Sequence, residues 1–170
     1  VLSIRNRYVS HPFRQDSDFY YLTGFKYPGA CLVLIPGRDR GEVILFCPEV
    51  TDQSVMWHGE QISPEIAPYI LAVDDAFPIE DIDDILPGLL ETRQRIYCNM
   101  GHQPDFDTRL LSWIEQLNSA KTSEFSDLSY LLHEQRLIKS SKEQASLRKA
   151  AKISSQAHNR AMKAVHPGLY

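Results

Sequence analysis

Two near-continuous apolar runs, residues 31–35 and 42–47, flank the turn-rich stretch Pro36-Gly-Arg-Asp-Arg-Gly41. Short apolar runs bounded by Gly and Pro predict the two strands of a hairpin. Their lack of polar alternation predicts a sheet covered on both faces. Further short strands are predicted at residues 1–4, 70–73 and 95–98. Residues 5–15 are polar and interrupted by Pro12, which predicts a loop, and residues 48–63 are again polar and carry Trp57.

A slower rhythm marks the helices. In Asp16-Ser-Asp-Phe-Tyr-Tyr-Leu-Thr-Gly24, Asp16 suits an N-cap, Asp18 the positive helix end, and Gly24 a left-handed exit. Ile79, Ile82, Ile85, Leu86 and Leu89 recur at helical spacing among Glu80, Asp81, Asp83 and Asp84, with Pro87 keeping that helix short or kinked. Another helix starts near Asp105 and puts Phe106, Leu110, Trp113, Ile114 and Leu117 on one face. Residues 125–138 read as partly helical, with Leu128, Leu131 and Leu132 inward. The plainest helix begins at the capping box Ser140-Ser-Lys-Glu143 and runs to Pro167-Gly168. Leu147, Ala150, Ala151, Ser154, Ala157, Ala161 and Val165 form a mostly small-residue stripe along it. Such a stripe calls for a close-packed partner. Residues 1–138 are therefore expected to form one domain, and residues 139–170 a linker and the first helix of a next one. Mixed strand, hairpin and helix signals predict an α/β fold with a mixed sheet.

Composition adds bounds to this picture. The chain is 43% hydrophobic and 24% charged, with eighteen basic and twenty-two acidic residues, the balance of an ordinary soluble domain long enough to bury a core. The net charge of −4 speaks against a general nucleic-acid surface. Cys31, Cys47 and Cys98 are odd in number and form no CxxC pair, which suits free thiols in a reducing compartment. No apolar run approaches the length of a membrane span. The opening residues, Val-Leu-Ser-Ile-Arg, come without cap or turn, so residues are expected upstream.

Catalytic patterns are sparse. His133-Glu134 opens a His-Glu-x-x-His zinc motif, but Leu137 stands where the second histidine belongs. Asp16 and Asp18 are better explained by capping, and the acidic run 80–84 by a solvated helix face. Neither a Gly-x-Ser-x-Gly elbow nor a phosphate-binding glycine loop is present.

Three stretches go further. Pro12-Phe-Arg-Gln-Asp-Ser-Asp-Phe-Tyr-Tyr-Leu-Thr-Gly-Phe25 resembles the signature of the amino-terminal domain of the aminopeptidase P (Xaa-Pro aminopeptidase) family. His133-Glu-Gln-Arg-Leu-Ile-Lys-Ser140 is similar to that family's junction between domains, and the final helix, ending Ala161-Met-Lys-Ala-Val-His-Pro-Gly-Leu-Tyr170, to its first catalytic-domain helix.

The resemblance implies a creatinase-like amino-terminal domain, non-catalytic by itself, of a cytoplasmic, homo-oligomeric metalloaminopeptidase. That enzyme would remove the amino-terminal residue of peptides with proline at the second position. It would use two Mn2+ ions, bound by five ligands beyond Tyr170. A bridging hydroxide activated by two ions is the physical logic of such a centre. No nucleic acid or membrane partner is implied.

Two positions inherit roles by resemblance. Trp57, in Met56-Trp-His-Gly59, would reach into a neighbouring subunit's active site, and its polar surroundings predict exposure. Arg136, at the junction, would border the substrate cleft, where a planar guanidinium suits carbonyls or a carboxylate. A core tryptophan and a domain-joining salt bridge are the structural alternatives. The sequence departs from the family pattern at Tyr8, His11 and Glu60-Gln61, in segments that contact a neighbouring subunit in relatives. Two other readings stand beside the main one: a creatinase-like protein-binding module without peptidase activity, and a prolidase-type dipeptidase.

Overall fold

The computed structural model describes residues 4–7, 9–91, 93–117 and 124–169. It forms two compact units. The first comprises Val1–Ile96 with Met100–Phe125, and the second Tyr97–Asn99 with Ser126–Tyr170.

In the first unit, β1 (Ile4–Asn6) and β2 (Val9–Ser10) pair antiparallel. The turn between them is held by the Val9 N–H, which donates to Asn6 Oδ1 at 3.0 Å. The loop expected at 5–15 is thus partly strand, because the Asn6 side chain stabilises a turn that the polar composition disguises. Of the strand expected at residues 1–4, Val1–Ser3 lie outside the described residues.

Helix α1 (Ser17–Thr23) matches its reading closely. Asp16 Oδ1 accepts from the N–H groups of Asp18 and Phe19. Gly24 leaves the helix at φ 70°, a left-handed conformation that costs a glycine nothing.

The central sheet runs β3 (Cys31–Leu34), β4 (Val43–Cys47), β5 (Asp75–Pro78), with β3–β4 antiparallel and β4–β5 parallel. The sheet is therefore mixed, as the sequence predicts. Burial is uneven across it: Ile44, Leu45, Phe46 and Cys47 of β4 are buried, whereas Leu34 on β3 is exposed. Only the middle strand is covered on both faces. Asp74 locks the entry to β4, its Oδ2 accepting from the Glu42 and Val43 N–H groups at 2.9 Å each. Phe25, Leu45, Cys47, Ala67 and Val73 form one core cluster, with Phe25 edge-on to both Phe19 and Tyr27. Burying an aliphatic or aromatic side chain of this size contributes about 1.5–3 kcal/mol.

Two expectations between the hairpin and β5 need correction. The polar stretch around Trp57 contains a helix, α2 (Asp52–His58). The strand expected at 70–73 is instead the end of α3 (Ala67–Ile70) and a bend, and the strand itself starts at Asp75. Val73 is buried in the core cluster, so its apolar signal reported burial and not strand.

A 3-10 turn, Ile79–Asp81, leads into α4 (Ile82–Leu90), which keeps Pro87 within its nine residues. Helix α5 (Pro104–Gln116) joins α4 through one carboxylate. Asp83 accepts from Trp113 Nε1 at 3.0 Å and pairs with Arg109 at 2.9 Å, while the Arg109 guanidinium lies 5.3 Å from the Trp113 ring centroid. Strands β6 (Arg95–Cys98) and β7 (Glu124–Asp127) pair as a two-stranded ladder. Arg95 and Glu124 meet at its start, 2.7 Å apart.

The second unit is mainly helical. Helix α6 (Leu128–Leu137) starts from Asp127, whose side chain accepts from the Ser129 N–H, and buries Leu132. Leu128 is half-buried and Leu131 exposed, so the inward face is narrower than the leucine pattern implies. Helix α7 (Ser141–Ala164) has the expected capping box: Ser140 Oγ accepts from the Glu143 N–H, and Glu143 accepts from the Ser140 N–H at 2.7 Å. None of its twenty-four residues is buried.

Candidate functional site

Trp57 sits on α2, and local chemistry explains how it is presented. At the start of the helix, Thr51 Oγ1 accepts from the Ser54 N–H at 3.2 Å and Ser54 Oγ accepts from the Thr51 N–H at 3.0 Å. Two otherwise orphaned donors are thereby satisfied. At its end, Gly59 turns the chain at φ 74°, and the Tyr27 hydroxyl donates to the Glu60 carbonyl at 2.9 Å. Tyr27 also packs on Phe25 in the core, so the exit of α2 is tied to the sheet's interior. Nothing on α2 is buried, and Trp57 itself is 74% exposed beside Met56 and Val55. The core alternative for Trp57 is thereby excluded.

Arg136 lies in the last turn of α6, half-buried, where a cation suits the negative helix end. The chain just after it is folded back by Lys139, whose ammonium donates to the Arg136 and Leu137 carbonyls. Leu137 and Ile138, the next two residues, are exposed at 68% and 86%. Trp57 belongs to the first unit and Arg136 to the second. Of the positions where the sequence departs from the family pattern, His11 and Glu60 are exposed, and Tyr8 lies outside the described residues.

The signature stretch itself does structural work that its spelling hides. Gln15 Nε2 donates to the Tyr27 carbonyl at 2.9 Å, Asp16 caps α1, and Gly24 makes the left-handed exit. Thr23 Oγ1 donates to the Phe19 carbonyl and accepts from the Phe25 N–H. Phe25 is 1% exposed. These residues fasten the segment between β2 and β3 onto the core.

Two cysteine thiols and one carboxyl titrate away from their ordinary values. Burial pushes the Cys31 thiol up to about 12 against the pull of the Arg109 guanidinium. Burial, aided by the carboxylates of Glu65 and Glu80, pushes the Cys47 thiol up to about 11. Thiols shifted in this direction are protonated and unreactive near neutral pH. The Ser63 hydroxyl donates to Glu65 and holds that carboxyl below its usual value. Among the described residues, no three His, Cys, Asp or Glu side chains group so as to hold a metal ion. The donors described here thus do not fit the pair of ions implied by the resemblance. No helix is long and apolar enough to cross a membrane, among the described residues.

Comparison with known proteins bears on the fold and the family. Residues 2–97 match the family described as "Aminopeptidase P, N-terminal domain". The Xaa-Pro aminopeptidase of Escherichia coli strain K12 is 34% identical over 167 residues, an alignment covering 94% of this chain and 38% of the relative. The solved structure of an aminopeptidase from Pseudomonas aeruginosa is 48% identical and superposes with a TM-score of 0.91, over 100% of this chain and 40% of its own. A zinc-substituted E. coli aminopeptidase P in complex with product superposes equally well, with a TM-score of 0.91 at 33% identity, over 100% of this chain and 40% of its own. The chain thus spans about two fifths of the length of these relatives. The fold, the Pro12–Phe25 signature with the contacts that explain it, and the family match together place this chain in the family of aminopeptidase P N-terminal domains.

Proposed function

We propose that this chain is the non-catalytic amino-terminal part of a dinuclear-metal Xaa-Pro aminopeptidase, and that it shapes the substrate cleft and the oligomer. The observation that carries this reading is the extent of the likeness: the whole chain superposes on aminopeptidase P structures, yet occupies only 40% of their length. The two ions, taken as Mn2+, belong to protein beyond residue 170. Residues 139–170 are the linker and opening helix of that catalytic part, and residues 1–138 the accessory domain. The substrates are peptides with proline second, and the location is the cytoplasm, which suits three free cysteines.

Within this reading, Trp57 and Arg136 position substrate and do not cleave it. An exposed indole on a capped helix offers a flat apolar wall to a proline ring or the residue after it. The Arg136 guanidinium offers fixed donors to the peptide backbone or its terminal carboxylate.

The test uses the full-length natural protein with Mn2+ and Xaa-Pro-Yaa tripeptides. Release of the first residue is expected. Cleavage confined to dipeptides would make it a prolidase, and no cleavage by a folded, metal-loaded protein would leave the protein-binding module. Trp57→Ala should raise KM for a tripeptide about 10- to 200-fold, the scale of one lost apolar contact. Arg136→Ala should lower kcat/KM more for tripeptides than for longer peptides, whose carboxylate lies farther away. Unchanged kinetics in Trp57→Ala, with the mass in solution also unchanged, would remove Trp57 from the site.

A further inference from the structure

Helix α2 carries Trp57, yet none of its side chains is buried within its unit, so packing there does not set the direction of the helix. Its ends must do so. At the start, the Thr51–Ser54 capping box closes only on itself. It satisfies the first turn without joining it to another element. At the end, Gly59 turns the chain at φ 74°, a conformation that glycine adopts freely and that fixes no partner. Among the described residues, one hydrogen bond reaches residues 51–61 from elsewhere in the chain. It is the bond from the Tyr27 hydroxyl to the Glu60 carbonyl, at 2.9 Å.

The donor is itself held. The Tyr27 ring stands edge-on to Phe25, with centroids 5.5 Å apart, and packs against the core cluster. The Tyr27 carbonyl accepts from Gln15 Nε2 at 2.9 Å, and Pro28 follows. A proline restricts the residue before it to extended conformations. A ring held by packing, on a backbone held by a hydrogen bond and a proline, presents its hydroxyl at one place. The acceptor is a backbone carbonyl, three positions after Trp57. The bond therefore acts on the path of the chain and not on the Glu60 side chain. It ties the exit of α2, otherwise a glycine turn, to the core.

We propose that Tyr27 is a positioning residue for substrate binding: through the Glu60 carbonyl, its hydroxyl fixes the direction in which α2 presents Trp57. The proposal rests on the reading of Trp57 as a wall for the substrate. In this role Tyr27 acts only through Trp57 and takes no part in bond cleavage. Its loss should weaken binding alike in the ground state and the transition state, raising KM and sparing kcat.

The test uses the full-length natural protein with Mn2+ and an Xaa-Pro-Yaa tripeptide, in a double-mutant cycle of Tyr27→Phe and Trp57→Ala. Tyr27→Phe keeps the ring on Phe25 and removes only the donor. It should raise KM about two- to tenfold, the scale of one neutral hydrogen bond, with kcat unchanged. Placed on Trp57→Ala, the same substitution should add nothing, since its route to the substrate is gone. A merely structural loss would instead multiply the two effects. Amide exchange followed by mass spectrometry should quicken across residues 52–60 of Tyr27→Phe and stay unchanged in β4. Wild-type KM in Tyr27→Phe, a full further rise in KM in the double variant, or unchanged exchange across residues 52–60 would each overturn the proposal. If Trp57→Ala alone keeps the wild-type KM, the reading of Trp57 fails and the proposal falls with it. A raised KM in Trp57→Ala beside wild-type kinetics in Tyr27→Phe overturns the proposal and leaves that reading standing.

Discussion

β4 and α7 are built on opposite terms. β4 is five residues long, buries four of them, and takes its hydrogen bonds from two neighbouring strands. α7 is twenty-four residues long, buries none, and satisfies its backbone within itself and at a capping box. The strand exists because distant residues cover it. The helix is favoured by its own residues: six alanines and four lysines, a cap at the start and Pro167-Gly168 after the end. Damage to the two should therefore spread differently.

The largest effect is expected in β4. Phe46 is fully buried and packs on Phe77 of β5, with ring centroids 5.8 Å apart. Phe46→Ala should cost about 3–5 kcal/mol in urea unfolding, close to the whole stability of a marginal domain. A loss under 1 kcal/mol would mean that β4 is less central than its burial indicates.

Alkali sharpens the same contrast. The Cys47 thiol ionises near 9 in an unfolded chain and near 11 in the folded core. Its raised pKa therefore adds stability that is full below pH 9 and is lost as pH climbs toward 11. Cys47→Ala should show a shallower fall in the urea midpoint over that window than the parent chain. Equal falls in both would remove the thiol as the cause.

Asp83 occupies a middle ground, exposed itself but holding two groups of α5. Asp83→Ala strands the Trp113 indole N–H and releases Arg109, for an expected loss of about 1–3 kcal/mol. Asp83→Asn, which retains an acceptor, should lose less in the same urea titration. If the two lose equally, the indole bond contributes nothing.

The smallest and most local change belongs to α7. Ser140→Ala removes the cap's acceptor, worth about 0.5–2 kcal/mol to the helix. Amide exchange should quicken in the first turns of α7 while β4 keeps its protection. A matching loss of protection in β4 would show that the two regions are not independent.

The contrast also explains what could be read from sequence. Elements fixed by their own residues were plain: Asp16 and Gly24 bracket α1, and Ser140 with Glu143 starts α7. The hairpin of β3 and β4 was legible because its apolar runs are bounded by Pro and Gly. α2 was not, because it buries no side chain and so has no apolar period; Val55, Met56 and Trp57 are consecutive. Its actual signal was Thr51 with Ser54 three residues on, a serine in place of the usual Glu or Gln of a capping box. β5 was missed because Asp-Ala-Phe-Pro is a poor strand by itself, made one by parallel pairing with β4. At the candidate site, the exposure of Trp57 followed from its polar neighbours. The Tyr27 hydroxyl bond that anchors the exit of α2 spans thirty-three residues and leaves no local trace.

A three-stranded sheet has two rims, and unpaired rims invite foreign strands to add on. Here both are cut short. β3 has four residues, with Pro28 before it and Pro36 after it, and β5 ends at Pro78, which has no N–H to offer. A fourth strand would find at most a few consecutive backbone groups on either rim before meeting a proline. The sheet can thus hold its hydrophobic middle strand without becoming a template for aggregation.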